Sequence, residues 1–584
     1  MGNLHSGLRF APAKVEVEHR ADGSMLLRSP QELRPYARAA GEWLVHWAQA
    51  APERVFLSER SGEDWRKVTY REALDAVRRI GEALLARGLD ASKPVALLSD
   101  NSVDHALISL GAMQVGVPAA PVSPAYSLMS KDHAKLKAIF ELIEPGLVWA
   151  ADAEKFAPAL AAVGRRAVSI AELLDARPSE RVEAAFARVG PDTVAKILFT
   201  SGSTGMPKGV VNTQRMMCSN QQSWAQAWPF LEERPPVICE WLPWSHTFGG
   251  NGTFNMVLRN GGSFHIDGGK PAPGLIETTV RNLREVSPTI YLNVPRGFDL
   301  LLPFLESDAG LRRSFFRDLD LIFYAGAALP QNLWERIERL AIAERGGELA
   351  MLSGWGSTET APMATCVHFA AERAGLIGLP APGSELKLVP SAGKLEARVR
   401  GPNVTPGYYR REDLTRAAFD DEGFYRIGDA LRFADPQQPT LGLVFDGRVA
   451  EDFKLTSGTW VHVGAVRVKL IAAGNPVIQD AVLTGHDRDE VGALVFLNPA
   501  TTKDLSGEAV RAKVAGALRT LASEGGSSMH PTRALLISEL PSIDANEITD
   551  KGYINQRAVL ERRAALVERL YAVPTPADVV TAAG

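Results

Sequence analysis

Short apolar segments of strand length alternate with segments of helical periodicity along most of this 584-residue chain. Such an alternation is typical of parallel βαβ units, because a strand that is followed by a helix usually returns to the same sheet in the same direction. The pattern therefore predicts parallel sheets with helices packed on them. Its apolar runs are Pro94–Leu98, Val117–Val122, Leu147–Ala150, Ala195–Phe199, Val237–Leu242, Thr289–Leu292, Leu319–Tyr324 and Leu349–Leu352. Helical patterns lie between them at Val103–Val115, Leu275–Val286 and Asn332–Ala343.

The N-terminal region is predicted to be less regular. Residues 1–35 are polar and irregular, which indicates an arm that lies on the main body. A helix is expected at Glu42–Ala51. A second helix is expected to begin after Thr69, which has capping-box spacing to Glu72, and to end at Gly88. Its apolar stripe at helical spacing consists of Leu74, Val77, Ile80, Leu84 and Leu85.

The pattern of polar and apolar residues changes near Gly383. Polar and apolar residues then alternate, as in half-exposed strands, which predicts a small β subdomain that runs to about Phe445. A chain of this length is expected to form more than one domain. We predict an N-terminal domain at residues 1–446 and a smaller α+β domain at residues 447–584. The smaller domain should contain helices near Val466–Ala472, Gly507–Leu521 and Gln556–Tyr571, and strands near Ala481–Thr484 and Ala493–Leu497.

The composition excludes several classes of protein. A net charge of −4 gives no reason to expect nucleic-acid or anionic-membrane binding, and 46% hydrophobic with 23% charged residues is typical of globular proteins. Three separated cysteines, Cys218, Cys239 and Cys366, predict neither a disulfide framework nor a zinc site, so a reducing, cytoplasmic location is expected. The N-terminus has no apolar signal-peptide core. The prolines of the uncharged run Ala106–Ser130 favour a buried helix and strand over a membrane span.

The stretch Thr200–Lys208 reads TSGSTGMPK and directly follows an apolar strand. Glycines let a backbone approach a ligand closely, successive N–H groups and hydroxyls form an anion site, and a lysine adds a cation, so a polyphosphate ligand is expected. Pro207 before the lysine and Gly209 after it exclude the usual P-loop spacing. An ordinary Ser/Gly turn is the alternative. The candidate nucleotide contacts here are Thr200, Ser201, Gly202, Ser203, Thr204, Gly205 and Lys208.

Further strand-ending loops contain unusual polar or aromatic residues. Gly354–Glu359 reads GWGSTE, in which Thr358 offers a hydroxyl and Glu359 a possible ligand for Mg²⁺. Three more such stretches are Gly423–Asp429 (GFYRIGD), Tyr324–Leu329 (YAGAAL) and Trp241–Gly250 (WLPWSHTFGG). Each of these stretches, taken alone, also has a purely structural interpretation, namely a tight turn or a histidine that packs in the core. Ligands of open α/β sheets bind at the carboxyl ends of the strands, so these loops should converge.

Together, these strings resemble the adenylate-forming superfamily, which includes acyl- and aryl-CoA synthetases, adenylation domains and luciferases. The motifs follow the family order from about residue 50 to residue 557. The resemblance implies a large N-terminal domain, of parallel βαβ subdomains and a small β subdomain, with a mobile α+β C-terminal domain. It also implies ATP and coenzyme A as substrates, together with Mg²⁺. The family hinge normally has Asp or Lys where this chain has Ala450, so the hinge residue is an open question.

The resemblance implies a role for each motif residue. Lys551, in the stretch Glu547–Arg557, would be the catalytic lysine, although its neighbours Asp550, Gly552 and Tyr553 depart from the usual Gly-Lys motif. Thr358 and Glu359 would act at the phosphates, with Glu359 on Mg²⁺, and His246 would shape the acid pocket and position the carboxylate without acting as a base. The nucleotide would further contact Gly326, Ala327, Ala328, Gly354, Trp355, Gly356, Ser357, Asp429 (on the ribose hydroxyls) and Arg448.

The implied reaction converts an acid to an acyl-adenylate with release of pyrophosphate, and then to a coenzyme A thioester with release of AMP. Ser29–Ala48 and Glu547–Arg557 resemble bacterial feruloyl-CoA synthetases, which implies a hydroxycinnamate and phenylpropanoid degradation. Medium- or long-chain fatty acids, loading of a separate carrier protein, and an inactive ATP-binding regulator remain alternatives. The oligomeric state is open, and a homodimer is one option. The candidate acid-pocket residues are Trp244, His246, Phe248, Asn251, Tyr291 and Trp355.

Overall fold

The structure is a computed structural model that describes residues 7–201, 205–272, 274–391, 393–526, 528–550 and 552–582. Strands are numbered here in chain order. The strands before residue 300 are β1 (Glu16–His19), β2 (Met25–Arg28), β3 (Val55–Ser61), β4 (Asp64–Thr69), β5 (Val95–Leu98), β6 (Ala119–Val122), β7 (Leu147–Ala150), β8 (Val194–Ser201), β9 (Pro207–Thr213), β10 (Val237–Glu240), β11 (Ser263–Ile266) and β12 (Ile290–Asn293). Those that follow are β13 (Leu321–Tyr324), β14 (Ala350–Gly356), β15 (Met363–Cys366), β16 (Leu376–Pro380), β17 (Glu385–Ser391), β18 (Lys394–Arg400), β19 (Tyr425–Phe433), β20 (Leu443–Arg448), β21 (Phe453–Lys454), β22 (Trp460–Val461), β23 (Ile478–Thr484), β24 (Gly492–Leu497), β25 (Arg533–Ile537) and β26 (Val579–Thr581).

The helices are numbered in the same way. Those before residue 250 are α1 (Ala40–Ala50), α2 (Tyr70–Ala86), α3 (Val103–Gln114), α4 (Ala125–Leu128), α5 (Ala134–Ile143), α6 (Ala157–Ala162), α7 (Ile170–Leu174), α8 (Glu180–Arg188) and α9 (Gln214–Ala227). Those that follow are α10 (Phe254–Arg259), α11 (Ile276–Glu285), α12 (Pro295–Ser307), α13 (Ala309–Arg317), α14 (Gln331–Arg345), α15 (Glu412–Ala418), α16 (Val463–Gly474), α17 (Pro499–Thr502), α18 (Gly507–Glu524), α19 (Gln556–Arg562) and α20 (Ala564–Leu570). A π-helical turn, Phe248–Thr253, leads directly into α10.

The central sheets confirm the predicted parallel architecture. One sheet has the strand order β7-β5-β6-β8-β9, and within it β5 is parallel to β6 and β7, and β6 is parallel to β8. In another, β12, β13 and β14 are parallel neighbours. A further sheet has the order β10-β11-β3-β4. Helices cover these sheets, so the mixed α/β fold class predicted from the alternation is confirmed.

The β region after Gly383 does not form a sheet of its own. Its strands extend the parallel strands in the continuous order β1-β2-β17-β18-β19-β20-β16-β15-β14-β13-β12. This order also corrects the prediction of an irregular N-terminal arm, because β1 and β2 form a hairpin whose second strand pairs with β17. The antiparallel β19 and β20 therefore continue the same sheet that contains β14.

The C-terminal part has its own sheet, β23-β24-β25-β26, and its own apolar clusters. The single helix predicted at Gln556–Tyr571 is interrupted at Arg563, where α19 ends and α20 begins. Arg563 is buried and donates from Nε to Glu547 Oε1 at 2.6 Å. The boundary between residues 446 and 447 remains a prediction. In the part of the chain that the structure describes, no helix is both long enough and apolar enough to cross a membrane.

Candidate active site

The hairpin of β8 and β9 presents the segment that was predicted to bind phosphate. Gly202, Ser203, Thr204 and Lys551 lie outside the described residues. At the base of the hairpin Thr200 pairs with Lys208 across the two strands. The hydroxyl of Thr200 is buried without a hydrogen-bond partner among the described residues, so it remains available to a ligand. Gly205 adopts φ +85°, and a side chain there would meet Asn546.

Lys208 connects this hairpin to the Gly354–Glu359 stretch. Its Nζ donates to the hydroxyl of Tyr408 at 2.6 Å and lies 3.7 Å from Glu359 Oε1. The same tyrosine hydroxyl donates to Glu359 Oε1 at 3.1 Å and lies 3.2 Å from the hydroxyl of Tyr425. Burial lowers the pKa of Lys208 and outweighs the opposing effect of Glu359. Neither tyrosine was found from the sequence: Tyr408 lies outside the recognised motifs, and Tyr425 lies within the Gly423–Asp429 stretch, in which only Asp429 was given a role.

Glu359 and its neighbours occupy a tight turn at the end of β14. Thr358 and Glu359 are buried, and the turn begins at Ser357, whose Oγ accepts from the backbone N–H of Glu359. A side chain at Gly356 would place its Cβ 1.8 Å from Pro362 O, and one at Gly354 would lie 2.8 Å from Thr365 O. Both glycines are therefore required by close backbone packing between β14 and β15.

Asp429 lies on β19 beside this turn, and β19 pairs it with Arg448 of β20. The carboxylate is buried, and its Oδ2 accepts from Trp355 Nε1 at 2.9 Å. Arg448 Nε is 3.2 Å from Oδ1, but not in hydrogen-bond geometry, so Oδ1 has no hydrogen-bond donor among the described residues. Burial raises the pKa of Asp429, and Arg448 and Trp355 offset this only in part. One carboxylate oxygen is thus left to accept a ligand hydroxyl.

The loop after β13 lies on the same side of the sheet. Gly326, Ala327 and Ala328 are exposed, and Gly326 adopts φ +86°. A side chain at Gly326 would meet the Tyr553 hydroxyl at 2.8 Å. The backbone of this loop is therefore accessible, and the C-terminal segment approaches it closely.

The C-terminal segment around residue 550 contacts the N-terminal part at several points. Asp544 accepts from Ser130 Oγ at 2.7 Å, and the Ile543 carbonyl accepts from Lys135 Nζ at 2.7 Å. Asp550 Oδ2 lies 3.2 Å from His246 Nε2. The last of these contacts brings Asp550, the residue before Lys551, next to the predicted acid motif, and sequence reasoning missed all three.

The predicted acid-pocket residues separate into two groups. Trp244, Asn251 and Tyr291 are buried and already have partners: Trp244 packs on Phe254 and Phe264, Asn251 donates to Asn212 at 2.8 Å, and Tyr291 packs on Phe298 and Phe315. His246, Phe248 and Trp355 form the second group, of which Trp355 is also buried. Phe248 is half-buried, with its ring 5.8 Å from that of Phe323, and Trp355 contacts Asp429.

The donor set fits a magnesium ion that is shared with a nucleotide. No cluster of three or more His, Cys, Asp or Glu side chains suited to a metal occurs within the described ranges. Mg²⁺ is usually held by one or two carboxylates together with substrate phosphates, and the buried carboxylate of Glu359 lies beside the phosphate hairpin. Its oxygen donors therefore suit the ion, with the remaining ligands left to phosphate and water.

The chain matches two family models, "AMP-binding enzyme" over residues 44–409 and "AMP-binding enzyme C-terminal domain" over residues 462–574. It therefore belongs to the AMP-binding enzymes, the adenylate-forming superfamily that includes the acid–CoA ligases. Members of this family use ATP and coenzyme A as substrates, with Mg²⁺. This confirms the superfamily and the substrates that the motifs implied.

Individual relatives are distant. A long-chain-fatty-acid–CoA ligase of Mycobacterium bovis is 24% identical over 89% of this chain and 95% of its own. An anthranilate–CoA ligase of Pseudomonas aeruginosa is 27% identical over 80% of this chain and 87% of its own. The chain spans only 46% of a carboxylic acid reductase of Mycobacterium marinum that it also resembles. The solved structure of O-succinylbenzoate coenzyme A synthetase from Bacillus subtilis with AMP has a TM-score of 0.68, with 18% identity over 90% of this chain and 98% of the other.

Proposed function

We propose that this protein is an ATP-dependent acid–CoA ligase and that its acid is a hydroxycinnamate such as ferulate. The observation that carries the proposal is the pair of buried carboxylates, Asp429 on β19 and Glu359 in the turn after β14. Asp429 has one oxygen without a hydrogen-bond donor, and Glu359 is linked to Lys208 beside the phosphate hairpin. A nucleotide needs both kinds of group: one acceptor for the ribose hydroxyls and one cation with a metal ligand for the phosphates.

In the first half-reaction, a carboxylate oxygen of the acid would attack the α-phosphorus of ATP, and pyrophosphate would leave. The charge that builds on the phosphate oxygens needs donors and cations at fixed positions. In this proposal Thr200, Thr358 and Lys208 supply them, and Lys551 adds a second cation. Glu359 would hold Mg²⁺, which neutralises phosphate charge when it is bound.

In the second half-reaction, the thiol sulfur of coenzyme A would attack the acyl carbonyl, and AMP would leave. No protein cysteine is required, and Cys218, Cys239 and Cys366 are all buried. His246 would position the substrate carboxylate and needs to remove no proton, because a carboxylic acid is already ionised at neutral pH.

The proposal of a hydroxycinnamate is supported by the resemblance of Ser29–Ala48 and by the aromatic side chain of Phe248, two residues after His246. Flat aromatic acids bind well between aromatic walls that contain a few polar groups. The anthranilate ligase among the relatives acts on an aromatic acid by its name, whereas the relative from Mycobacterium bovis is named for long-chain fatty acids. A fatty acid is therefore the second candidate.

The test is AMP release from ATP and Mg²⁺ with ferulate, anthranilate or dodecanoate, each with and without coenzyme A. We expect full turnover only with ferulate and coenzyme A together, accompanied by a new thioester absorbance. Turnover with dodecanoate but with neither aromatic acid would support the acid–CoA ligase activity and contradict the aromatic substrate. ATP binding without AMP formation from any acid would favour the inactive regulator. The Lys551→Ala variant is the control for background ATP hydrolysis.

A further inference from the structure

Lys196 is a buried lysine in the middle of β8, four residues before Thr200. Because side chains alternate along a strand, Lys196 and Thr200 lie on the same face of β8. Burial is the only cause that shifts its pKa, which falls to about 7, so no neighbouring carboxylate among the described residues compensates its charge. A charged group that is buried without a partner costs free energy, which an apolar residue of the same size would avoid.

The amine of Lys196 holds the π-helical turn Phe248–Thr253. Its Nζ donates to the Gly250 carbonyl at 2.6 Å and lies 3.3 Å from Asn251 Oδ1. In this turn the N–H of Phe254 bonds to the Gly249 carbonyl, five residues back. Such widened turns leave backbone groups in need of other partners and occur often at functional sites. A small cavity lined by Lys196, Trp244, Gly250 and Phe254 borders this contact.

The turn is held on another side by Glu240 of β10. Thr253 Oγ1 lies 2.6 Å from Glu240 Oε1 and 2.9 Å from the Gly249 carbonyl. Burial raises the pKa of Glu240 well above its usual value, which favours the neutral form of this side chain. The turn is therefore held from two sides. The buried amine of Lys196 lies on the strand that leads to the phosphate hairpin, and the buried carboxyl group of Glu240 lies on a second sheet.

We propose that Lys196 is a positioning residue for the acid site, which it fixes relative to the phosphate hairpin through the Gly250 carbonyl and Asn251. The inference rests on the proposed function, because the turn begins two residues after His246 and contains Phe248. A displacement of about 1 Å at a reacting group can cost about 100-fold in rate. The strand itself is held by its pairing with β6 and β9, so loss of the amine should move the turn and leave the ATP side in place.

Burial shifts the pKa of two other ionisable groups around Lys196, His105 and Glu240. His105 of α3 lines the same cavity, and burial, together with the charge of Lys196, lowers its pKa to about 4. Asp100, whose backbone bonds to His105, is a further carboxyl group nearby. A change of acid-dependent turnover near pH 7 that wild type shows and Lys196→Met lacks would be assigned to the amine, because the variant retains His105, Asp100 and Glu240.

The experiment compares wild type with Lys196→Met, which keeps the volume and removes the donor, and Lys196→Gln, which keeps a neutral donor. Lys387→Met is the matched control, because Lys387 is equally buried but pairs with Asp420 in the distant β17–β19 region. We expect Lys196→Met to lower kcat/KM for the acid by about 10- to 100-fold, with the ATP Kd within about threefold of wild type. Lys196→Gln should recover part of this loss, and Lys387→Met should leave kcat/KM for the acid unchanged.

Equal losses of acid and ATP affinity in Lys196→Met, or no loss of either, would overturn the proposal. Hydrogen exchange of residues 246–254 gives a readout that needs no turnover: faster exchange there in Lys196→Met, without a change in β8, is expected. If wild type forms no AMP with any acid, the proposed function fails, and the exchange result then decides the positioning role separately. If Lys196→Met does not fold, the same two readouts are made on Lys196→Gln, and unchanged exchange and kcat/KM there would also reject the role.

Discussion

Replacement of Lys196 by Met should change the stability of the protein by an amount that depends on pH. Lys196 has a pKa of about 7 in the folded protein, against 10.5 when exposed, because burial disfavours the ammonium form. The unfolded chain therefore binds more protons than the folded one between these two values, and the free energy of unfolding rises with pH over that range. Below pH 7 both states are protonated, and the full cost of burying the charge is present.

The size of this effect follows from the shift in pKa. The whole difference of 3.5 units, from 10.5 to about 7, corresponds to roughly 5 kcal/mol at about 1.36 kcal/mol per unit. Between pH 6 and pH 9 the folded lysine loses its proton while the unfolded one keeps it, which gives roughly 3 kcal/mol of this total. Methionine has no such dependence, but it leaves the Gly250 carbonyl without its donor, at a cost of about 1–3 kcal/mol.

We therefore expect Lys196→Met to be at least as stable as wild type at pH 6 and to lose roughly 3 kcal/mol of stability relative to wild type between pH 6 and pH 9. Urea unfolding followed by tryptophan fluorescence at both pH values measures the difference between the two proteins. In the Lys387→Met control the difference should be the same at both values. Burial lowers the pKa of Lys387, but Glu422 and Asp420 outweigh this and raise that pKa, so its stabilisation is complete below pH 10. A Lys196→Met difference that does not vary between pH 6 and pH 9 would refute the reasoning.

Three further changes test the remaining parts of the site. Asp429→Asn should weaken ATP binding by about 10-fold or more, since the ribose hydroxyls lose a charged acceptor, and calorimetry with ATP measures this; an unchanged Kd would reject the ribose role. Lys551→Ala should nearly abolish adenylation in pyrophosphate exchange and spare ATP binding, and full exchange activity would show that another cation acts. Gly356→Ala should lower the unfolding midpoint strongly, because its Cβ would lie 1.8 Å from a backbone carbonyl. Gly516→Ala, in the middle of α18 with no close contact, should not, and equal midpoints for the two variants would contradict the packing argument.

The regular elements were largely predictable because their signals are local. The predicted strand at Leu147–Ala150 has the bounds of β7, and the one predicted at Pro94–Leu98 begins one residue before β5. The Thr69–Glu72 capping box is present at the start of α2. Hydrophobic periodicity, helix-capping residues and helix-breaking residues act over a few positions. They can therefore be recognised in the sequence without knowing which segments pack together.

The pairings between distant segments were not predictable in this way. The addition of β2 to β17 depends on two edges that meet only in the folded protein, and neither segment has a distinctive composition. The break at Arg563 depends on Glu547, sixteen residues earlier, which draws the arginine side chain inward. A helical pattern alone continues through this position, so the sequence indicates one helix.

The candidate site shows the same division. Motifs identified the residues that would meet the nucleotide, because a phosphate or a ribose requires particular groups at particular spacings. The groups that hold those residues in place follow no such rule: Tyr408 approaches Glu359 from 49 residues away, and Asp550 approaches His246 from the far end of the chain. Lys196 is the residue whose role was hardest to predict, because it lies in an apolar segment typical of a buried strand, where a lysine is not expected. The hydrogen bond that Lys196 donates to the π-helical turn explains why a lysine is found at this position. Because that bond holds the turn, an apolar residue at this position should spare the fold and impair the acid site.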